Sequence, residues 1–207
     1  MFLICSQKFV CFMVISLKKI FPNLLTALRL LVVPFTLVAI LNDKLALALG
    51  LFTFAATTDY IDGFLARLWS VESKFGRIFD PIADKTLMIG SYVTLALAGY
   101  IPVWLMYLIV GRDILILTGG FLVYLLDLPV RLSPFFLSKL NTFFQLLFVW
   151  LVLLLNMGIY QILTPDLYHP MIWLLIYITA TTTMLSGIEY TVYFVRKNLR
   201  SLLENDK

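Results

Sequence analysis

Six long apolar stretches follow one another along this chain, and they constrain its fold more than any other feature. They cover residues 24–41, 45–65, 78–100, 103–126, 140–157 and 171–195. A hydrocarbon core of about 30 Å is crossed by roughly 20 apolar residues rising 1.5 Å each, so every stretch is close to one crossing. Six crossings account for nearly all of the 207 residues and leave no room for a second domain. Charged residues make up 14% of the chain, against about 25% in a typical soluble domain, which makes lipid the expected solvent. The expected fold is all-α: a polytopic membrane protein, one domain over residues 1–207, built as a bundle of six transmembrane helices.

The breaks between stretches set the orientation. Lys18, Lys19, Arg67, Lys74, Arg77, Arg131, Lys139, Arg196, Lys197 and Arg200 collect on one side, and the other side carries little beyond Lys44. Positively charged loops stay in the cytoplasm, so both termini are expected inside, which agrees with an even number of crossings. The same distribution explains the net charge of +4 without nucleic acid as a partner: the cations sit between spans, facing anionic headgroups. Phe9 to Leu17 is apolar but too short to span, and no small-residue cleavage site precedes Pro22. Residues 1–21 are therefore expected to form an N-terminal interfacial helix, or to lie partly upstream of a true start at Met13. Cys5 and Cys11 show no disulfide pattern, and His169 is expected in an interfacial loop.

Four carboxylates stand where lipid should exclude them. Asp59 and Asp62 lie three apart on the second span, and Asp80 and Asp84 four apart on the third, so each pair shares one helix face. An ionised residue at membrane depth costs about 2.5–3.5 kcal/mol on insertion scales, so a group of four needs partners and points to function. Arg67, Lys74 and Arg77 are available for a salt-bridge knot between the two helices. Hard divalent cations are the other answer: an oxygen-only donor set suits Mg²⁺, Mn²⁺ or Ca²⁺, and two such ions would clamp a diphosphate. Gly63 and Gly76 stand beside these acids, where a ligand could approach the backbone closely or helices could pack.

From Asp59 the chain reads Asp-Tyr-Ile-Asp-Gly-Phe-Leu-Ala-Arg, then eight residues, then Gly-Arg-Ile-Phe-Asp-Pro-Ile-Ala-Asp. This resembles the signature of the CDP-alcohol phosphatidyltransferase family at Asp59, Asp62, Gly63, Ala66, Arg67, Gly76, Asp80 and Asp84. The resemblance implies a six-helix membrane enzyme that transfers the phosphatidyl group of CDP-diacylglycerol to an alcohol and releases CMP. It further implies two divalent cations, Mg²⁺ or Mn²⁺, held by Asp59, Asp62, Asp80 and Asp84, with Asp84 as general base. Gly63, Ala66, Arg67 and Gly76 would line the nucleotide and diphosphate site, joined by Asn23 and Thr26 of the first span. A homodimer in the cytoplasmic membrane, with its active site on the cytoplasmic side, is the expected assembly.

The acceptor alcohol is the finer question. Pro-Asn-Leu-Leu-Thr at 22–26 with Arg29, and Lys85 after the last aspartate, are similar to the branch that makes phosphatidylglycerol phosphate and cardiolipin. Arg112-Asp113, together with Ser-Lys-Leu-Asn-Thr at 138–142, resembles the CMP-forming cardiolipin synthases, which implies phosphatidylglycerol as acceptor. Glycerol 3-phosphate is the alternative. Either would need a cation for a phosphate; Arg112 lies about 14 Å from the outer end of its helix, and Lys139 lies near the cytoplasmic end of the next. A divalent-cation transporter is the remote alternative, and it explains neither the glycines nor Arg67 beside the acids. Glu189 in the sixth span has no assigned role.

Overall fold

The structure, a computed structural model, describes the backbone of residues 25, 27–69, 74–125, 136–157 and 165–205. Side chains are described at 25, 27–61, 85–119, 136–157 and 169–196. Helices α1 (Ala27–Leu41), α2 (Leu45–Trp69), α3 (Lys74–Leu97), α4 (Val103–Leu125), α5 (Phe136–Asn156) and α6 (Pro165–Asn205) succeed one another, and no strand occurs among the described residues. The expected interfacial segment 1–21 lies outside the described residues. The chain forms two compact units, residues 1–94 and 95–207, and the division falls near the end of α3.

In the first unit, α1 buries one stripe: Arg29, Val33, Thr36 and Ile40, at helical spacing. Its other faces expose Leu31, Phe35 and Val38, which only lipid would solvate favourably. The helix closes on a Schellman motif: Lys44 N–H donates to Ala39 C=O at 2.9 Å and Asp43 N–H to Ile40 C=O at 3.1 Å. Asp43 takes the left-handed conformation there, with φ of 56°, which a short polar side chain tolerates. On α3, a Cβ at Gly90 would sit 2.8 Å from a methyl of Leu37, so α1 and α3 approach closely at that glycine.

In the second unit, Gly99 (φ 80°) ends α3 with the same motif, Tyr100 N–H donating to Leu95 C=O at 2.9 Å. Helix α6 packs against both α4 and α5. The apolar core includes Leu105, Ile109, Phe148, Val152, Leu153 and Ile176. Residues 136–156 and 169–196 are long and apolar enough to cross a membrane. Shorter apolar helical segments cover 27–41, 45–61 and 85–97.

The helices keep the expected order and differ at their ends. Helix α3 starts at Lys74, four residues before the apolar stretch, because the segment from Lys74 to Arg77 is helical although it is charged at both ends. Helix α6 extends beyond its apolar stretch at both ends. No Gly or Pro interrupts Val195 to Asn205, so the charged residues there continue the helix. His169 is an exposed residue of α6, not of a loop.

Candidate functional site

Helix α2 carries Asp59, Asp62, Gly63, Ala66 and Arg67, and α3 carries Gly76, Asp80 and Asp84. Both segments are continuous helix, so the three-residue and four-residue spacings do put each acid pair on one helical face. Asp59 is the one acid of the four whose side chain is described. Asn23 and Thr26 lie outside the described residues. Among the described residues no group of three or more His, Cys, Asp or Glu side chains is placed to hold a metal.

Asp59 has a partner that spacing did not suggest. Nη1 of Arg29 lies 2.6 Å from Asp59 Oδ1; the Arg29 side chain is fully buried, while the Asp59 side chain is 42% exposed. The counter-charges expected from the sequence were Arg67, Lys74 and Arg77, all on or beside the acidic helices. The side chains of those three lie outside the described residues; among the described residues, Arg29 of α1 reaches Asp59. The signal was present: an arginine inside an apolar span must find a partner, and Arg29 lies inside the stretch 24–41. The pair leaves Asp59 partly exposed, with Oδ2 making no hydrogen bond among the described residues. Together with three further carboxylates on α2 and α3, that donor chemistry fits a hard divalent cation.

The second constellation lies in the other unit. Arg112 is 7% exposed and joins three helices. Its Nη1 donates to Asp113 Oδ1 at 2.8 Å, and its Nη2 donates to Ser138 Oγ of α5 at 2.7 Å and to Ser186 Oγ of α6 at 2.6 Å. Beside it, Thr183 Oγ1 donates to Asn141 Oδ1 at 3.0 Å, and Gln145 Nε2 to Thr183 Oγ1 at 3.4 Å. Ser138, Asn141 and Gln145 form one stripe of α5, and Thr179, Thr183 and Ser186 one stripe of α6. Lys139, one residue from Ser138, is exposed. Of the two cations expected to meet an acceptor phosphate, Arg112 is therefore tied into the helix contact and Lys139 is accessible. Glu189 is half-buried and makes no hydrogen bond or ion pair among the described residues.

Comparison with known proteins decides the family. The family model described as CDP-alcohol phosphatidyltransferase matches residues 19–185, a segment that contains Arg29, all four aspartates, Arg112, Asp113 and Ser138. The chain belongs to the CDP-alcohol phosphatidyltransferase family. It is 34% identical over 187 residues to the probable cardiolipin synthase (CMP-forming) of Drosophila melanogaster, covering 83% of this chain and 56% of that protein. It is 35% identical over 188 residues to the cardiolipin synthase (CMP-forming) of Rattus norvegicus, covering 83% and 60%. A Rickettsia felis protein named CDP-diacylglycerol--glycerol-3-phosphate 3-phosphatidyltransferase is 33% identical over 181 residues, covering 84% of this chain and 94% of its own length. The chain thus spans somewhat over half of the two animal relatives and nearly all of the bacterial one. Members of the family generally use divalent cations.

Proposed function

We propose that this phosphatidyltransferase transfers the phosphatidyl group of CDP-diacylglycerol to the free hydroxyl of phosphatidylglycerol, forming cardiolipin and CMP. The observation that carries phosphatidyl transfer is the complete family motif, set on two consecutive helices in the spacing that pairs its acids; the choice of phosphatidylglycerol is carried by Arg112-Asp113 with Ser-Lys-Leu-Asn-Thr at 138–142. The acceptor oxygen attacks the phosphorus nearer the diacylglycerol, and the bond from that phosphorus to the bridging diphosphate oxygen breaks. That oxygen leaves with the electron pair as part of CMP, and the acceptor's proton passes to the Asp84 carboxylate, the general base. Arg67 holds phosphate oxygens by charge-assisted hydrogen bonds, and Gly63, Ala66 and Gly76 leave room for the nucleotide, with Asn23 and Thr26 alongside. Asp59, Asp62, Asp80 and Asp84 are assigned to two Mg²⁺ or Mn²⁺ ions. When bound, these supply positive charge against the diphosphate. Arg29 holds one oxygen of Asp59 and thereby fixes the direction of the other. Of the two candidates for an acceptor phosphate, Arg112 and Lys139, Lys139 is the exposed one.

The reading includes a single domain of six crossings in the cytoplasmic membrane, both termini and the active site on the cytoplasmic side, working as a homodimer. Glycerol 3-phosphate as acceptor is the second reading, favoured by the bacterial relative and its 94% coverage. The test is CMP release from CDP-diacylglycerol by the purified full chain, with Mg²⁺ or Mn²⁺ and each acceptor offered separately. Metal-dependent release with phosphatidylglycerol, abolished by Asp84→Asn, is the expected result. Release with glycerol 3-phosphate alone transfers the assignment to the second reading, and release with neither acceptor overturns both.

A further inference from the structure

Arg29 and Asp59 lie in the same compact unit, and they meet through one carboxylate oxygen. Nη1 of Arg29 is 2.6 Å from Oδ1 of Asp59, while Oδ2 accepts no hydrogen bond among the described residues. The hydroxyls next to Asp59 on α2 turn back onto their own helix. Thr57 donates to Thr53 C=O at 2.6 Å, and Thr58 donates to Phe54 C=O and Ala55 C=O, each at 2.9 Å. They do not compete for the carboxylate. The two oxygens of Asp59 are thus unequal: a cation from α1 holds one, and the other belongs to a side chain that is 42% exposed.

Arg29 is held in place. Its side chain is fully buried in the stripe that Val33, Thr36 and Ile40 continue, and a guanidinium stays charged at any pH a cell reaches. Moving it off Asp59 would strip a counter-charge from a buried cation inside an apolar span. A divalent cation arriving at Asp59 therefore meets a carboxylate with one oxygen already in use. Sharing Oδ1 would bring the ion to within about 5 Å of Nη1, the sum of the 2.6 Å contact and a metal–oxygen bond of about 2.0–2.6 Å. Two cations at that range repel, most strongly where water is scarce. Oδ2 keeps the ion farther from the guanidinium, so Asp59 is left to ligate through that oxygen alone.

This restriction weighs differently on different ions. Mg²⁺ prefers an octahedron of short contacts to single oxygens, whereas Ca²⁺ takes roughly six to eight oxygens and often grips a carboxylate by both. We infer that Arg29 selects the ion: by occupying Oδ1 it keeps Asp59 monodentate and turns the site against Ca²⁺ in favour of a smaller ion such as Mg²⁺. The inference rests on the assignment of Asp59 to a divalent cation proposed above and deepens it. Arg29 touches neither ion nor substrate in this role. It is a positioning residue that acts through Asp59.

The test uses the purified full chain in detergent without substrate, and reads bound Mn²⁺ by electron paramagnetic resonance while Mg²⁺ or Ca²⁺ is added as competitor. For the native chain, Ca²⁺ is expected to need a higher concentration than Mg²⁺ to displace half of the Mn²⁺. Arg29→Met frees Oδ1 and is expected to lower the ratio of the two half-displacing concentrations, Ca²⁺ over Mg²⁺, by about tenfold, the low end of what changes beside a metal ligand do to affinity. Arg29→Lys keeps the charge but not the fork, and is expected to shift the ratio less in the same direction. It also keeps the test decisive should the methionine variant fail to fold. The double variant Arg29→Met, Asp59→Asn is expected to return to the native ratio, because an amide offers a metal one oxygen. An unchanged ratio in both single variants, or an equal loss of affinity for all three ions, overturns the inference in favour of a purely structural pair. A native chain that takes Ca²⁺ and Mg²⁺ equally well overturns it too. Absence of Mn²⁺ binding altogether would sink the metal assignment and the inference with it. Absence of CMP release with both acceptors would sink the transferase reading separately, because Mn²⁺ binding needs no turnover.

Discussion

At the scale of single residues, the Arg29–Asp59 pair makes one motif aspartate both a ligand candidate and a structural anchor. Removing one partner of such a pair takes a compensating charge from the other, and here the fully buried partner is the arginine. Asp59→Ala is therefore expected to lower unfolding stability in detergent by about 2–3 kcal/mol, less than a fully buried pair would cost because Asp59 is partly exposed. Asp59→Asn, which keeps an oxygen for Arg29, loses less, and Arg29→Met recovers part of the loss when added to Asp59→Ala. Additive effects of the two changes would show that the pair is not coupled. The two acceptor-phosphate candidates separate in the same way. Lys139→Gln is expected to raise KM for the acceptor by about tenfold with little change in stability, since a hydrogen bond to a charged group is worth about 1.5–3 kcal/mol. Arg112→Gln is expected to lower the thermal midpoint first, because it cuts α4 loose from Ser138 and Ser186. A large KM change for Arg112→Gln at unchanged stability would reverse these roles.

At the scale of helices, α4 and α6 meet where Gly119 faces Tyr190. A Cβ at Gly119 would lie 2.7 Å from the Tyr190 hydroxyl and 2.9 Å from Cε1, and a ring cannot fold away as a flexible chain end can. Gly119→Ala is expected to cost about 1–3 kcal/mol, the usual penalty of overpacking, and Tyr190→Leu should relieve it. Gly90→Ala meets only the δ-methyls of Leu37 and should cost less. Equal melting losses in the two variants would contradict this account of the α4–α6 contact. Neither contact was legible in the sequence, because a glycine in an apolar run signals close approach without naming its neighbour. The helices themselves were legible: their order follows from the apolar lengths and from breaks such as Asn42-Asp43-Lys44 and Ile101-Pro102. Their ends were less so, since hydropathy marks where lipid begins and not where hydrogen bonding stops, which is why α6 outruns its apolar stretch. In the site, spacing assigned Asp59 and Asp62 to one face. It did not pair Arg29 with Asp59, because that contact joins residues thirty apart through a fold that periodicity does not specify.

At the scale of the whole molecule, the cation distribution and the helix order make one joint prediction about sidedness. With the N-terminus inside, the turns at Asp43 and at Ala98–Gly99 fall on the outer face, as their shortage of Lys and Arg requires. The last turns of α6, which hold Arg196, Lys197 and Arg200, are then predicted to lie on the cytoplasmic side. Single cysteines at Asp43, Ala98 and Ser201, in a chain with Cys5 and Cys11 replaced by serine, make this measurable in intact cells with a membrane-impermeant maleimide. Asp43→Cys and Ala98→Cys are expected to react from outside, and Ser201→Cys only after lysis. The opposite pattern would invert the topology and carry the motif acids to the outer leaflet, away from any cytoplasmic supply of nucleotide-activated lipid. Labelling of Asp43→Cys and Ala98→Cys from opposite sides would mean that α2 and α3 do not both cross. The α2 acids and the α3 acids would then lack the common depth that a shared diphosphate site demands, so the topology experiment tests the chemistry as directly as it tests the fold.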